Sequence, residues 1–230
     1  MYLACKNISF RYATSVNDVF DNLSFCIQEP GFNALFGPSG VGKTSLAKIL
    51  VGSITNFSGK IESEGIRTLL YSYNLERLPG WSSVGKHIDR ITPPNFRDRK
   101  EALIEAFGMQ QFMGLRFSQL SLGQQNRVNL IRYLLQDFQL LIMDESLANV
   151  DERTRELIIF KIKEMFPETF FLYISHNVVE VSKFCREIIV FRMSPKQPQT
   201  VVVQGLDLET AGELSKNRLE HTMLEIMNAS

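Results

Sequence analysis

Residues 37–45 read GPSGVGKTS, which fits the pattern G-x-x-x-x-G-K-[ST] of a phosphate-binding loop. A short apolar run at residues 32–36 precedes the loop, and Leu46, Ile49 and Leu50 follow it at the spacing of a buried helix face. The segment therefore predicts a strand, a glycine loop and a helix. This order suits phosphate binding, because glycines let backbone N–H groups approach a polyphosphate and the helix N-terminus adds its positive dipole end.

The loop carries two side chains with predicted roles toward a nucleoside triphosphate. Lys43 is expected to reach the β- and γ-phosphates, and the Thr44 hydroxyl is expected to ligate Mg²⁺. A turn with an exposed lysine is the alternative, which the flanking strand and helix disfavour. The predicted ligands are ATP and Mg²⁺, and the loop residues expected to bind ATP are Gly37, Pro38, Ser39, Gly40, Val41, Gly42, Lys43, Thr44 and Ser45.

Composition indicates a globular cytosolic protein. The 230 residues, 44% of them hydrophobic, suffice for one large α/β domain, and 25 basic residues balance 25 acidic ones, so bulk charge gives no reason to expect nucleic-acid binding. Three widely spaced cysteines argue against a disulfide framework or a zinc site and fit a reducing compartment. The first ten residues lack the pattern of a signal peptide, and every apolar run falls short of about 18 residues, the length of a membrane span.

The hydrophobic pattern predicts an α/β fold along the whole chain. Antiparallel strands are expected at residues 2–9 and 19–27, and a helical insertion is expected at about residues 84–135. A C-terminal tail begins at about residue 206, and it carries apolar residues at loosely helical intervals, namely Leu214, Met223, Leu224 and Met227. Further strands are predicted at residues 32–36, 60–63, 67–73, 140–143, 169–174, 188–192 and 201–203, and helices at residues 120–135, 152–165 and 178–185.

The apolar run at residues 140–143 ends in Asp144 and Glu145. Such a run predicts a buried parallel strand, and ligands of open α/β sheets bind at the carboxyl edge of the strands. Asp144 is therefore a candidate Mg²⁺ ligand. Glu145 is a candidate base that orients or deprotonates an attacking water.

Five motifs in order resemble the nucleotide-binding subunit of ATP-binding-cassette (ABC) transporters over residues 1 to about 205. The phosphate loop is followed by LSLGQQNR, which resembles the LSGGQQQR signature, then by MDESLANVD, which resembles DEP-x-SALD, and by FLYISHN, which resembles the strand ending in the switch histidine. Tyr12 lies where the family has its adenine-stacking aromatic residue. The fold implied is a P-loop NTPase, with an ABC-type ATPase core, an antiparallel β subdomain and the inserted helical subdomain, all in a single domain of residues 1–230.

The resemblance also implies site residues. His176 takes the switch role, Asp151 the D-loop aspartate, and Asn74 the position of the family's Q-loop glutamine, with a role in catalysis and at Mg²⁺. Trp81 and Val84 lie in the stretch that docks a membrane subunit. The signature residues expected to contact ATP from a second protomer are Leu120, Ser121, Leu122, Gly123 and Gln124.

The function implied is that of an ATPase that powers a membrane transporter by ATP-driven dimer closure. The implied partners are separate transmembrane subunits, a second copy or a paired cassette subunit, and a substrate-binding protein, at the cytoplasmic face of the inner membrane. Residues 78–84 most resemble importers of the nitrate, sulfonate and taurine type. Two alternatives are a soluble cassette ATPase acting on ribosomes or nucleic acid, and a low-turnover regulatory module.

Departures from the family pattern bear on turnover. Asn74 is one methylene shorter than glutamine, and Leu122 replaces a signature glycine. Ser146 replaces the proline after the Asp-Glu pair, and Ala148 replaces the D-loop serine. These changes leave the phosphate loop, both carboxylates and the histidine intact, so the sequence predicts an active but slow ATPase.

Overall fold

Two β-sheets and the helices around them account for the residues described by the computed structural model, which are 1–74, 76–78, 80–193, 196–210, 212 and 215–230. The strands are β1 (Tyr2–Phe10), β2 (Phe20–Ile27), β3 (Gly31–Phe36), β4 (Ser58–Glu64), β5 (Leu69–Tyr73), β6 (Leu140–Asp144), β7 (Phe170–Ile174), β8 (Glu187–Phe191) and β9 (Thr200–Gln204). The α-helices are α1 (Lys43–Leu50), α2 (Val84–Ile91), α3 (Arg97–Ala106), α4 (Leu122–Leu134), α5 (Glu152–Met165), α6 (Val178–Phe184) and α7 (Lys216–Ala229).

The larger sheet has six strands in the order β5-β6-β7-β3-β8-β9. The first five run parallel, and β9 pairs antiparallel with β8. Every residue of β6 and β7 is buried, as expected of parallel strands covered on both faces. Because β5, β6 and β7 are adjacent and parallel, the residues that follow them meet at one edge of the sheet.

The smaller sheet is antiparallel, in the order β2-β1-β4. It packs its apolar face on α1 and on one face of the larger sheet, in a cluster that includes Phe20, Leu35, Leu46 and Ile174. The opposite face of the larger sheet carries α2 to α7, in a cluster that includes Phe171. The central strands are therefore apolar on both faces, with side chains alternating between the two clusters.

Element boundaries agree closely with the sequence-based predictions, with two local differences. The strand predicted to start at residue 67 starts at Leu69, because the backbone N–H groups of Arg67 and Thr68 both donate to the Gln139 side chain rather than joining the ladder. In α3 the buried residues are Leu103 and Ile104, whereas Ala102 and Ala106, which the sequence spacing also places on an apolar helix face, are only partly buried.

The chain after β9 returns to the core through ionic contacts and a helix. Asp207 accepts hydrogen bonds from Lys163 on α5 and from Arg186 before β8. The helix α7 buries Ile226 in the helical cluster, and the predicted helical position Leu214 lies outside the described residues. None of the helices described is both long and apolar enough to span a lipid bilayer.

Candidate active site

The phosphate loop connects β3 to α1 and is held in an unusual backbone conformation. Gly37 has φ of +148° and Gly42 has φ of +105°. A Cβ on Gly37 would lie 2.8 Å from the Phe191 carbonyl oxygen, and one on Gly42 would lie 2.5 Å from the Val19 side chain. Both positions therefore require glycine for φ and for space. The loop residues 37–45 lie together as the sequence predicts.

Lys43 folds back over the loop that contains it. Its Nζ donates to the carbonyl oxygens of Gly37, at 2.7 Å, and Pro38, at 2.9 Å. Burial lowers the pKa of Lys43, while the Asp144 and Glu145 carboxylates act in the opposite direction. The ammonium group thus lies in a partly desolvated position beside the loop, where an anionic ligand would replace the two carbonyl contacts.

Thr44 and Asp144 are a hundred residues apart in the chain and adjacent in space. The Thr44 hydroxyl donates to the Asp144 Oδ2 at 2.8 Å, and the Tyr71 hydroxyl donates to the same oxygen at 2.9 Å. Strands β5 and β6 both end at this point, because Tyr73, the last residue of β5, pairs with Asp144, the last residue of β6. The pair offers a carboxylate and a hydroxyl, which are the hard oxygen ligands that Mg²⁺ prefers.

Glu145 follows β6 in a left-handed backbone conformation, with φ of +52°. Its backbone N–H donates to the carbonyl oxygen of Ile174 on β7, at 3.1 Å, which fixes the turn. The carboxylate Oε1 lies 3.0 Å from the Nδ1 of His176, the second residue after β7. The predicted base and the predicted switch histidine are therefore in direct contact.

Two open cavities meet at Glu145. One, of about 640 Å³, is lined by Thr44, Lys48, Ser53, Tyr71, Tyr73, Asn74, Asp144 and Glu145. The other, of about 600 Å³, includes Glu145 and His176 among its lining residues. The Glu145 side chain is thus open to both cavities.

Tyr12 lies at the rim of the phosphate loop. Its hydroxyl is 2.9 Å from the Ser45 Oγ, and its ring packs edge-on against Phe10 with centroids 4.8 Å apart. Tyr12 is 40% exposed. The contact with Ser45 holds a partly exposed aromatic ring beside the loop.

The signature residues form the start of α4, on the helical face of the larger sheet. Ser121 is the N-cap, and its Oγ accepts a hydrogen bond from the Gln124 backbone N–H at 3.3 Å. The Gln124 Oε1 in turn accepts from the Ser121 backbone N–H at 2.8 Å, which completes a capping box. Leu122 is half exposed, while Leu120 is buried. Gly123 packs against the turn before α5, where a Cβ would lie 2.2 Å from the Asn149 carbonyl oxygen.

The remaining predicted residues differ in their surroundings. Asp151 is the N-cap of α5 and accepts from the Thr154 N–H at 2.9 Å. Trp81 is 76% exposed, but Val84 is only 2% exposed and lies in the core. The prediction that Val84 offers docking surface is corrected accordingly, since the first residue of α2 turns its side chain inward. Asn74 follows β5, and its N–H donates to the Asp144 carbonyl oxygen at 3.1 Å.

Sequence reasoning missed several residues that support this site. Tyr71 and Tyr73 are two residues apart on β5, so both side chains lie on the face of the strand that leads to the site. Asn126, on α4, donates a hydrogen bond to the Asn74 side chain. Glu180, four residues after His176, is buried and accepts from the hydroxyls of Tyr173 and Ser175. The glutamate in the first turn of the predicted helix was visible in the sequence, but its burial was not.

Comparisons with known proteins agree with this geometry. The family model described as "ABC transporter" matches residues 20–148. A taurine import ATP-binding protein of Jannaschia sp. (strain CCS1) is 31% identical over 198 residues, which cover 77% of this chain and 73% of that protein. An aliphatic sulfonates import ATP-binding protein of Burkholderia ambifaria is 32% identical over 181 residues, covering 76% of this chain and 56% of that protein.

A relative of lower sequence identity and a solved structure extend the comparison. A spermidine/putrescine import ATP-binding protein of Borreliella afzelii (strain PKo) is 27% identical over 197 residues, covering 77% of this chain and 56% of that protein. The chain thus spans little more than half the length of this relative. A bacterial Atm1-family ABC exporter with ATP bound has the same fold, with a TM-score of 0.74 at 20% identity over 83% of this chain and 37% of that one. The phosphate loop, the Asp144–Glu145 edge and the extent of these matches together establish that the chain belongs to the ABC transporter family.

Proposed function

We propose that this chain binds and hydrolyses ATP as the energy-coupling subunit of a membrane transporter. The observation that carries the proposal is the convergence at one sheet edge of Lys43, the Thr44–Asp144 pair and the Glu145–His176 pair. These groups come from the phosphate loop and from the ends of two adjacent parallel strands. They supply an ammonium group for phosphate, oxygen ligands for a cation and a carboxylate for proton transfer.

Nucleotide binding is assigned to residues 37–45 with Tyr12. In this proposal the loop N–H groups and Lys43 bind the phosphates, and the exposed face of Tyr12 stacks on adenine. The Asp144 carboxylate and the Thr44 hydroxyl would hold Mg²⁺, which, when bound, neutralises charge on the phosphate oxygens. Among the described residues no group of three or more His, Cys, Asp and Glu could hold a metal ion, and Mg²⁺ typically takes only one or two protein ligands beside phosphate and water.

The reaction assigned to Glu145 is proton acceptance from the attacking water. The water oxygen forms a bond to the γ-phosphorus, the bond from that phosphorus to the ADP oxygen breaks, and the proton passes to the carboxylate. The contact at 3.0 Å with His176 orients the carboxylate before the water arrives. Lys43 stabilises the negative charge on the phosphate oxygens throughout.

A second protomer completes the site in this proposal. The Ser121 hydroxyl and the N-terminus of α4 form an anion site at the surface, where they would contact the γ-phosphate held by a partner copy or a paired cassette subunit. ATP then favours the closed dimer, because only that state brings both half-sites to the nucleotide. Hydrolysis removes the contact and reopens the dimer.

Coupling to separate transmembrane subunits is assigned to the surface around Trp81. An indole that is mostly exposed, just before α2, fits a helix-in-groove contact with an aromatic anchor. The relatives named for import of taurine and of aliphatic sulfonates support an importer. We propose a substrate-binding protein as a further partner. The chain then acts as one ABC ATPase domain, with a helical subdomain at residues 84–135 and a tail from about residue 206, at the cytoplasmic face of the membrane.

Purification of the tagged chain from its native membranes in mild detergent tests the proposal. A polytopic membrane protein should co-purify in stoichiometric amount, and Trp81→Ala should reduce its recovery while leaving nucleotide affinity unchanged. Leu157→Ala, at an apolar residue of α5 that is also exposed, is the matched control. Recovery of ribosomal or nucleic-acid components in place of a membrane protein would contradict the transporter function.

A further inference from the structure

The side chain of Asn74 is held from behind by a buried asparagine on α4. The Asn126 Nδ2 donates to the Asn74 Oδ1 at 2.9 Å and to the carbonyl oxygen of Ala148 at 2.7 Å. Asn126 is only 2% exposed, and both hydrogens of its Nδ2 are used. One residue thereby joins the loop after β5, the start of α4 and the turn before α5.

These two contacts determine whether the oxygen or the nitrogen of the Asn74 carboxamide faces Asn126. The carbonyl oxygen of Ala148 can only accept, so the Asn126 atom beside it must be the nitrogen. The Asn74 atom that this nitrogen contacts must in turn be an oxygen. The amide nitrogen of Asn74 is consequently directed away from Asn126, and Asn74 is one of the residues lining the cavity with Thr44 and Asp144.

A second set of hydrogen bonds, one turn further along α4, contacts the same loop after β5. The Asn129 Nδ2 donates to the carbonyl oxygen of Glu76 at 2.7 Å, and Asn129 is 1% exposed. The Glu76 carboxylate also accepts from Arg132, at 3.2 Å, and from the Tyr133 hydroxyl, at 2.9 Å. The Asn74 N–H also donates to the Asp144 carbonyl oxygen at 3.1 Å, so the Asn74 backbone is held without Asn126 and without Asn129. Within the described part of the chain, the hydrogen bond from Asn126 sets the rotation of the Asn74 carboxamide.

We propose that Asn126 is a positioning residue that makes Asn74 a hydrogen-bond donor to the terminal phosphate of ATP, and not a ligand of Mg²⁺. This inference rests on the proposed function. It replaces the Mg²⁺ role that the resemblance gave to Asn74, because a carboxamide oxygen engaged by Asn126 points to the helix, while an N–H group suits an anionic phosphate oxygen. Asn74, which is shorter than glutamine, therefore acts through its amide nitrogen and not through its oxygen.

The test compares Asn74→Ala, Asn126→Ala, their double variant and Asn129→Ala. Mg²⁺ is titrated against a fluorescent ATP analogue, and kcat and KM are measured separately. We expect Asn74→Ala and Asn126→Ala to lower kcat by similar factors, the double variant to lose no more than either, and the midpoint of the Mg²⁺ titration to stay unchanged in all three. Asn129→Ala should retain kcat, and Thr44→Ala should shift the midpoint, which establishes that the titration reports Mg²⁺ binding.

Two results would overturn the inference. One is a shift of the Mg²⁺ midpoint in Asn74→Ala comparable with that of Thr44→Ala, and the other is multiplication of the two kcat losses in the double variant. Asn74→Asp is the second variant, since it retains an acceptor for Asn126 but replaces the donor by a charged acceptor. It should lower kcat, because a carboxylate cannot donate to a phosphate oxygen, and unchanged kcat would count against the inference.

A measurement without nucleotide separates this inference from the proposed function. In the ¹⁵N spectrum of side-chain amides, the Asn126 pair should be slowly exchanging and should shift in Asn74→Ala but not in Asn129→Ala. If the parent chain shows this response of the Asn126 signal but does not hydrolyse ATP, the proposed function is contradicted and the Asn126–Asn74 contact is still supported. An Asn126 signal that does not respond to Asn74→Ala would contradict the contact itself.

Discussion

The hydroxyl of Tyr71 donates to the Asp144 Oδ2 over 2.9 Å, and the Thr44 hydroxyl donates to the same oxygen over 2.8 Å. Burial raises the pKa of Tyr71 well above its usual range, and the Asp144 carboxylate adds to the effect. The phenol therefore stays protonated as a donor at physiological pH. Tyr71 thus fixes one oxygen of the carboxylate that we assign to Mg²⁺.

Tyr71→Phe should weaken Mg²⁺ binding by removing this donor. A hydrogen bond to a charged group contributes about 1.5 kcal/mol, so we expect the Mg²⁺ concentration for half-maximal ATP binding to rise roughly tenfold. A titration with a fluorescent ATP analogue measures the shift. Tyr73→Phe is the control, because the Tyr73 ring lies 5.5 Å from that of Tyr71 and is exposed. Equal effects of the two variants would contradict a specific role for the Tyr71 hydroxyl.

Tyr12→Ala should reduce affinity for ATP, because base–aromatic stacking contributes about 1–3 kcal/mol. Tyr12→Phe should bind nearly as well as the parent, since it loses only the 2.9 Å contact with the Ser45 hydroxyl. Isothermal titration with ATP distinguishes the two variants. If Tyr12→Phe lost as much affinity as Tyr12→Ala, the hydroxyl contact and not the ring would be responsible.

Gly123→Ala should destabilise the start of α4. Its Cβ would lie 2.2 Å from the Asn149 carbonyl oxygen, so the helix must move away from the turn before α5. Overpacking of this kind costs about 1–3 kcal/mol of unfolding free energy. Gly114→Ala is the matched control, because a Cβ there has no neighbour within 4 Å. Chemical denaturation measures both, and equal stability of the two variants would contradict the packing at Gly123.

Asp207→Asn should lower stability at neutral pH. Burial of Asp207 acts to raise its pKa, but hydrogen bonds from Lys163 and Arg186 prevail, and the pKa lies below its ordinary value. The stabilisation is therefore present above the unfolded-state pKa of about 3.9 and is lost as pH falls through the folded-state value.

The cost of Asp207→Asn at pH 7 should be about 2 kcal/mol, because Lys163 and Arg186 lose an ionic partner. The difference from the parent should shrink as pH falls below about 4 and through the lower pKa that Asp207 has in the folded state. Denaturation at a series of pH values measures it, with Glu209→Gln, at an exposed residue, as the control. A difference independent of pH would contradict this account.

Local sequence patterns were sufficient to locate the elements of the fold. The helix predicted at residues 152–165 coincides with α5, because Asp151 caps it and its apolar residues recur on one face. The continuous apolar runs predicted β6 and β7 because strands covered on both faces need no polar side. The motif order predicted the family.

Long-range contacts within the site could not be predicted in the same way. The bonds from Tyr71 to Asp144 and from Asn126 to Asn74 join residues 73 and 52 positions apart, and they depend on strand register and helix rotation that no local pattern specifies. The inward side chain of Val84 depends likewise on how α2 packs. The sequence predicted which residues lie together at this sheet edge better than it predicted what each contacts.

ATP hydrolysis by purified Glu145→Gln, beside the parent chain, tests the central claim most directly. The substitution retains the shape of the side chain and removes the basic carboxylate 3.0 Å from His176. We predict that turnover falls by about a hundredfold or more while ATP affinity is retained, because general-base catalysis typically contributes that much. Hydrolysis by Glu145→Gln at the parent rate would contradict the assignment of Glu145 as the base.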